Sequence, residues 1–117
     1  MPDEITLTLP LPPSSNRMYR NYRGRMVMSS EAKAYKAKVL SDAGSDTRPM
    51  TGDVTVYLDI YRARKSGDLD NFAKCILDSM QGVCYFSDSQ IVGIVARRFD
   101  DKSNPRVVVT VQAAKVL

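Results

Sequence analysis

Histidine is absent from the 117-residue chain. That absence removes a Ser-His-Asp triad, a histidine general base and any His-containing zinc site, so a metal would have to be held by carboxylates. Cysteine is scarce. Cys75 and Cys84 are the only two, too few for a disulfide framework and spaced for neither a zinc pair nor a redox dithiol, which predicts reduced packing thiols. No window approaches the roughly 18 uninterrupted apolar residues that a membrane helix needs, and Met1-Pro2-Asp3-Glu4 is acidic where a signal peptide would be basic. The expectation is a cytoplasmic protein without a membrane partner.

A hydrophobic fraction of 44% and a charged fraction of 26% are ordinary for a globular protein and argue against disorder or a fibrous repeat. The length suits one domain over residues 1–117. The net charge of +4 is modest, but Arg17, Arg20, Arg23, Arg25, Lys33, Lys36 and Lys38 face only Glu31 within their segment. Such a bias suits a polyanionic partner.

Ile5 to Leu9 alternates apolar and polar residues and predicts a half-buried strand that Pro10, Pro12 and Pro13 terminate. Ser14 to Gly24 is dense in hydroxyl, amide, guanidinium and phenol groups and reads as a loop built to touch something polar. Arg25 to Met28 fits a short strand. Ser30 is placed to cap a helix from Glu31 to about Ala43, with a weak apolar face of Ala34, Ala37, Val39 and Leu40 and Gly44 as its stop. Asp53 to Tyr61 alternates again and ends in the basic residues Arg62, Arg64 and Lys65. From Leu69 to Met80 the apolar residues recur at helical spacing, with Phe72 on the core side and Gly82 beyond the end. Gln90 to Phe99 and Arg106 to Val111 read as two further strands, joined by the turn-forming 100–105 segment and suited to a hairpin. The order predicts an α+β fold, a mixed β-sheet with two main helices covering one face.

The stretch Asp68-Leu69-Asp70-Asn71-Phe72-Ala73-Lys74 begins where a buried strand ends and a helix starts, a place where side chains can project from rigid supports. Asp68 and Asp70 are close enough for both carboxylates to reach one hard cation, and Asp88 could add a third. Two or three carboxylates with phosphate oxygens make a magnesium site without histidine, which is the usual inventory for phosphodiester hydrolysis. Lys74 lies one helical turn beyond Asp70 and is the candidate ammonium to stabilise either the nucleophile or the pentavalent phosphate. A purely structural reading also stands: Asp70 as an N-cap, Lys74 as a solvated partner of Asp70 and Asp78, and Asp88 as a turn residue. A D-x-D pair alone is a weak motif.

Asp68-Leu69-Asp70-Asn71 with Lys74 and Asp78, followed by Asp88-Ser89-Gln90-Ile91, resembles the signature of the RusA family of Holliday-junction resolvases. Leu9-Pro10-Leu11-Pro12-Pro13-Ser14-Ser15-Asn16-Arg17-Met18-Tyr19-Arg20 is similar to that family's opening, and Met28-Ser29-Ser30-Glu31 with Ala34-Tyr35 also fits, so the likeness covers nearly the whole chain. The resemblance implies that Asp68, Asp70 and Asp88 bind magnesium, with manganese a workable substitute, and that Lys74 is needed for cleavage. It also implies a homodimer that makes paired symmetric nicks in a four-way junction during DNA recombination and repair. A two-fold substrate is matched most simply by an isologous dimer. Two departures are visible: Ser87-Asp88 stands where many members have two adjacent acids, and Gly67 where a basic residue often precedes D-x-D.

Asn16, Arg17, Arg20, Arg23, Arg64 and Lys65 are the expected contacts to DNA phosphates, against the alternative of a solvated loop. Tyr19 and Tyr22 admit either base stacking or packing. Two rival functions remain open from the sequence: a noncatalytic branched-DNA-binding protein, and a metal-dependent nuclease preferring flaps or forks.

Overall fold

A computed structural model describes residues 4–13, 19–44, 47–63 and 69–114, with backbone alone at Tyr19, Arg20, Met26, Asp70 and Asn71. Six strands and two helices follow one another as β1 (Glu4–Leu9), β2 (Tyr19–Tyr22), β3 (Arg25–Met28), α1 (Ser30–Ala43), β4 (Val54–Arg62), α2 (Leu69–Met80), β5 (Ile91–Asp100) and β6 (Arg106–Ala113). β1, β6, β4 and β5 form one sheet in that order, and β2 with β3 forms a separate ribbon. The sheet is mixed: β6 runs antiparallel to both β1 and β4, whereas β5 runs parallel to β4.

Alternation in sequence becomes alternation in burial because successive strand side chains point to opposite faces. Ile5, Leu7 and Leu9 of β1, Val54, Val56, Leu58 and Ile60 of β4, and Val107, Val109 and Val111 of β6 all point to one buried face. Tyr35 and Val39 of α1 and Ile76 and Met80 of α2 join the same cluster, which puts both helices on that face. Each fully buried aliphatic side chain stabilises the fold by about 1.5–3 kcal/mol.

α2 has the limits that its apolar spacing predicts, and Gly44 and Gly82 follow the two helices as stops. Four expectations are corrected. Ser29, not Ser30, caps α1: its hydroxyl accepts from the Ala32 amide at 3.1 Å. The buried stripe of α1 is Ala32, Tyr35 and Val39, while Ala34, Ala37 and Leu40 face water. The Tyr35 phenol donates to the Pro10 carbonyl at 2.7 Å, and this anchor to the end of β1 fixes which stripe turns inward.

The third correction is that Tyr19–Tyr22, inside the expected polar loop, is a strand paired with β3 through the turn Arg23-Gly24. Both turn residues have positive φ, 53° and 78°, the type I′ geometry that matches strand twist; an arginine in the first position disguises it. The fourth is that β5 and β6 are not a hairpin. β6 inserts between β1 and β4, and the 101–105 connection passes over the end of β4, where the Asp101 amide donates to the Arg62 carbonyl at 2.8 Å. Arg62 itself is buried and bonded to Asp100 at 2.9 Å, so it braces this crossing.

The two thiols are free and buried as expected. Burial pushes the Cys84 thiol up to about 11. Among the described residues, no helix is long and apolar enough to cross a membrane.

Candidate active site

β4, α2 and β5 make one parallel crossover unit, and the space between α2 and the first half of β5 stays open as a cleft of about 600 Å³. Two neighbouring stripes of α2 line it. Leu69, Ala73 and Leu77, four residues apart, give an apolar floor, and Lys74 and Asp78 give a polar rim because residues at i and i+4 share a helix face. Asp70 belongs to the same stripe as Lys74 and Asp78 by its backbone position, the second residue of α2. The other wall is Asp88 with Ile91, Ile94 and Ala96 of β5.

Asp88 opens a single 3-10 turn, Asp88–Gln90, which is locked by its neighbours. Gln90 Oε1 accepts from the Phe86 amide at 2.7 Å and the Ser87 amide at 2.9 Å. Its Nε2 donates to the carbonyls of Met50 at 2.7 Å and Gly52 at 2.8 Å. Four hydrogen bonds from one side chain thus fix the turn against the segment before β4. The spacing Ser87-x-x-Gln90 is a capping-box signature, which identifies Gln90 as a turn residue where sequence alternation alone assigns it to the strand.

Tyr85 holds the other side. It is fully buried, and its hydroxyl donates to the Leu77 carbonyl at 2.5 Å, joining the 81–87 segment to α2. Its phenol is pushed up by burial first, then by Cys84 and by the carboxylates of Asp78 and Asp88, so both acids act at one place. The Cys75 thiol is likewise raised, by burial first and then by Asp78, with Lys74 pulling the other way. The cleft is therefore lined by carboxylates from two elements, Asp78 and Asp88, and by the ammonium of Lys74.

Among the site residues expected from sequence, Lys74 and Asp88 are brought into this one cleft, with Asp78 as a further lining acid. Asp68, Asn16, Arg17, Arg64 and Lys65 lie outside the described residues, and of Asp70 and Arg20 only the backbone is described. Arg23 is exposed at the turn of the β2–β3 ribbon, its guanidinium carbon 5.3 Å from the Tyr22 ring centre. Met28, at the foot of that ribbon, packs on Ala32 and Cys75, tying the basic turn to both helices. Among the described residues no three acidic or cysteine side chains gather closely enough to hold a metal. The donor set of the cleft, carboxylate oxygen without histidine, fits a hard divalent cation.

A carboxylate and lysine cleft beside a basic ribbon, on an α+β sheet, is the equipment of a nuclease that breaks phosphodiester bonds. Comparison with known proteins narrows the class. The model of the family Endodeoxyribonuclease RusA matches residues 10–112. The Crossover junction endodeoxyribonuclease RusA of Escherichia coli strain K12 is 34% identical over 92 residues, covering 74% of this chain and 76% of the relative. The proteins of the same name from Shigella sonnei strain Ss046 and Enterobacteria phage 82 are each 33% identical, over 92 and 91 residues, with 74% of this chain and 76% and 75% of the relatives covered. The chain belongs to the RusA family and is an endodeoxyribonuclease.

Proposed function

We propose that the chain is a magnesium-dependent resolvase that cuts four-way DNA junctions by paired symmetric nicks in recombination and repair. The observation that carries the reading is the single cleft lined both by Lys74 of α2 and by Asp88 of the turn before β5. Asp70 stands one helical turn before Lys74 in the same stripe. The relatives' printed name, crossover junction endodeoxyribonuclease, supports the choice of substrate.

In this reading Asp68, Asp70 and Asp88 hold the metal, and manganese can replace it. Magnesium, when bound, supplies charge neutralisation at the scissile phosphate and makes water a stronger acid. Lys74 places its ammonium against the charge that grows on the phosphate oxygens, an interaction that strengthens toward the transition state. Asp78, at i+4 from Lys74, orients that ammonium. The apolar floor of Leu69, Ala73 and Leu77 excludes water around the reacting phosphate and makes these charges count for more. Arg23 with Asn16, Arg17, Arg20, Arg64 and Lys65 holds the arms through their phosphates, which gives affinity without sequence preference.

The second copy required for paired nicks has a surface that suits it. β5 is the last strand of its sheet, and Val92 and Val95 along it are about half exposed, at 58% and 46%. A long apolar strand edge of this kind is normally covered.

The test is cleavage of a labelled four-way junction in magnesium, set beside Asp70→Asn and a linear duplex of matching sequence. Paired symmetric nicks made only by the unmodified protein and only in the junction are the expected result. Binding without nicking would favour a noncatalytic junction binder, and faster cutting of flaps or forks would move the preferred substrate.

A further inference from the structure

Phe86 is a large aromatic side chain left 58% exposed two residues before Asp88. Its backbone has no freedom to carry the ring elsewhere. The Phe86 amide donates to Gln90 Oε1 at 2.7 Å, and the residue before it, Tyr85, is fully buried and bonded to the Leu77 carbonyl. The ring is therefore held out in water on a pinned support beside the cleft, an arrangement that costs hydrophobic burial unless something covers it.

The surroundings say what would cover it. Phe86 lines a cavity of about 440 Å³ together with Lys36, Met28 and Asp78, within the roughly 300–1,000 Å³ of small-ligand pockets. Asp78 also lines the candidate cleft, so the two spaces have that residue as a common wall. On the far side Lys36 is shared with a third depression of about 290 Å³ that adds Lys33. The Lys36 ammonium is steered across this groove by donating to the Gln81 carbonyl. The cleft, the cavity under the exposed aromatic ring and the depression at the two lysines of α1 are thus successive neighbours, each sharing a wall residue with the next.

We propose that Phe86 stacks on an unpaired nucleobase of the strand whose phosphate occupies the cleft, and that Lys36 and Lys33 hold the phosphates leading away from it. The proposal rests on the reading of the chain as a nuclease of branched DNA, and it deepens that reading by assigning a residue that meets the open base. Every base has a π-face, so an aromatic platform beside basic side chains tolerates any sequence. Intact duplex keeps its bases stacked and offers nothing to Phe86. The platform accordingly selects for a branch point, where stacking is interrupted, over linear DNA.

The chain has no tryptophan and six tyrosines, so Phe86→Trp installs a lone tryptophan at the platform, read by excitation beyond the tyrosine band. With calcium in place of magnesium to prevent cutting, the expected result is strong quenching of that emission by a four-way junction and little by linear duplex. Phe86→Ala should bind the junction about tenfold more weakly, with duplex affinity and thermal midpoint unchanged, and Phe86→Trp should keep junction affinity. Unquenched emission with normal junction binding would overturn the proposal while leaving the nuclease reading intact. A shift of Phe86→Ala to a smaller sedimenting species, with junction affinity per subunit unchanged, would reassign the ring to contact between copies and likewise overturn it. Failure of the unmodified protein both to bind and to cut junctions would remove the underlying reading.

Discussion

The two edges of the sheet are built differently. β1, at one edge, exposes Glu4, Thr6 and Thr8 and buries Ile5, Leu7 and Leu9, so its outer side is polar and its inner side closes the core. β5, at the other, exposes Val92, Ile94, Val95 and Phe99 and contributes Ile91, Ile94 and Ala96 to the active-site cleft. Both are edge strands with the same backbone problem, a row of unpaired donors and acceptors. Polar side chains protect one. The other stays apolar beside the cleft that Lys74 and Asp88 line, which is the pattern of a surface kept for partners.

If that division is right, chemistry and stability should separate between the edges. Lys74→Met, on the β5 side, should lower junction cleavage by about 10²–10³-fold, the scale seen when one group aimed at developing charge is lost, with junction binding and urea midpoint retained. Leu9→Ala, on the β1 side, removes a side chain that is 2% exposed and should cost about 2–5 kcal/mol in urea unfolding; below its melting temperature the folded fraction should cleave normally. Loss of cleavage in fully folded Leu9→Ala would break the comparison. The smallest effect on stability is expected from Val95→Lys, within about 0.5 kcal/mol, because the residue is half in water. Its readout is sedimentation: a charge on the β5 edge should convert a dimer to monomers, and an unchanged dimer would place the second copy elsewhere.

Much of this arrangement is written in local spacing. α2 is legible because Leu69, Phe72, Ala73, Ile76, Leu77 and Met80 repeat at the helical period, and that period also places Asp70, Lys74 and Asp78 on one stripe. Strand β4 is legible for the matching reason at period two. What spacing leaves out is the neighbour. Alternation tells which face of β6 is buried and nothing about which strands flank it, so two strands adjacent in sequence invite a hairpin that the sheet does not contain. Similarly, Ala34, Ala37 and Leu40 of α1 are as apolar as the residues that are actually buried, and the choice among stripes is made by one long-range bond, Tyr35 to the Pro10 carbonyl. The site shows both limits. Lys74 and Asp88 come from motifs, whereas Gln90, which fixes Asp88, acts through Met50 and Gly52 far back in the chain.

The strand order also sets a timetable. β6 is synthesised after β1, β4 and β5 and lies between β1 and β4, with Ile5 paired to Val111 and Val56 to that same residue. As the chain leaves the ribosome, β1 waits for a partner made about a hundred residues later, and contacts of such separation form slowly. The unit β4–α2–β5 can assemble first, carrying Lys74 and Asp88 on a half-finished sheet. Newly made chains should thus acquire the outline of the cleft early and rigidity later, so a nuclease with full power over DNA does not exist until β6 has slid into the middle.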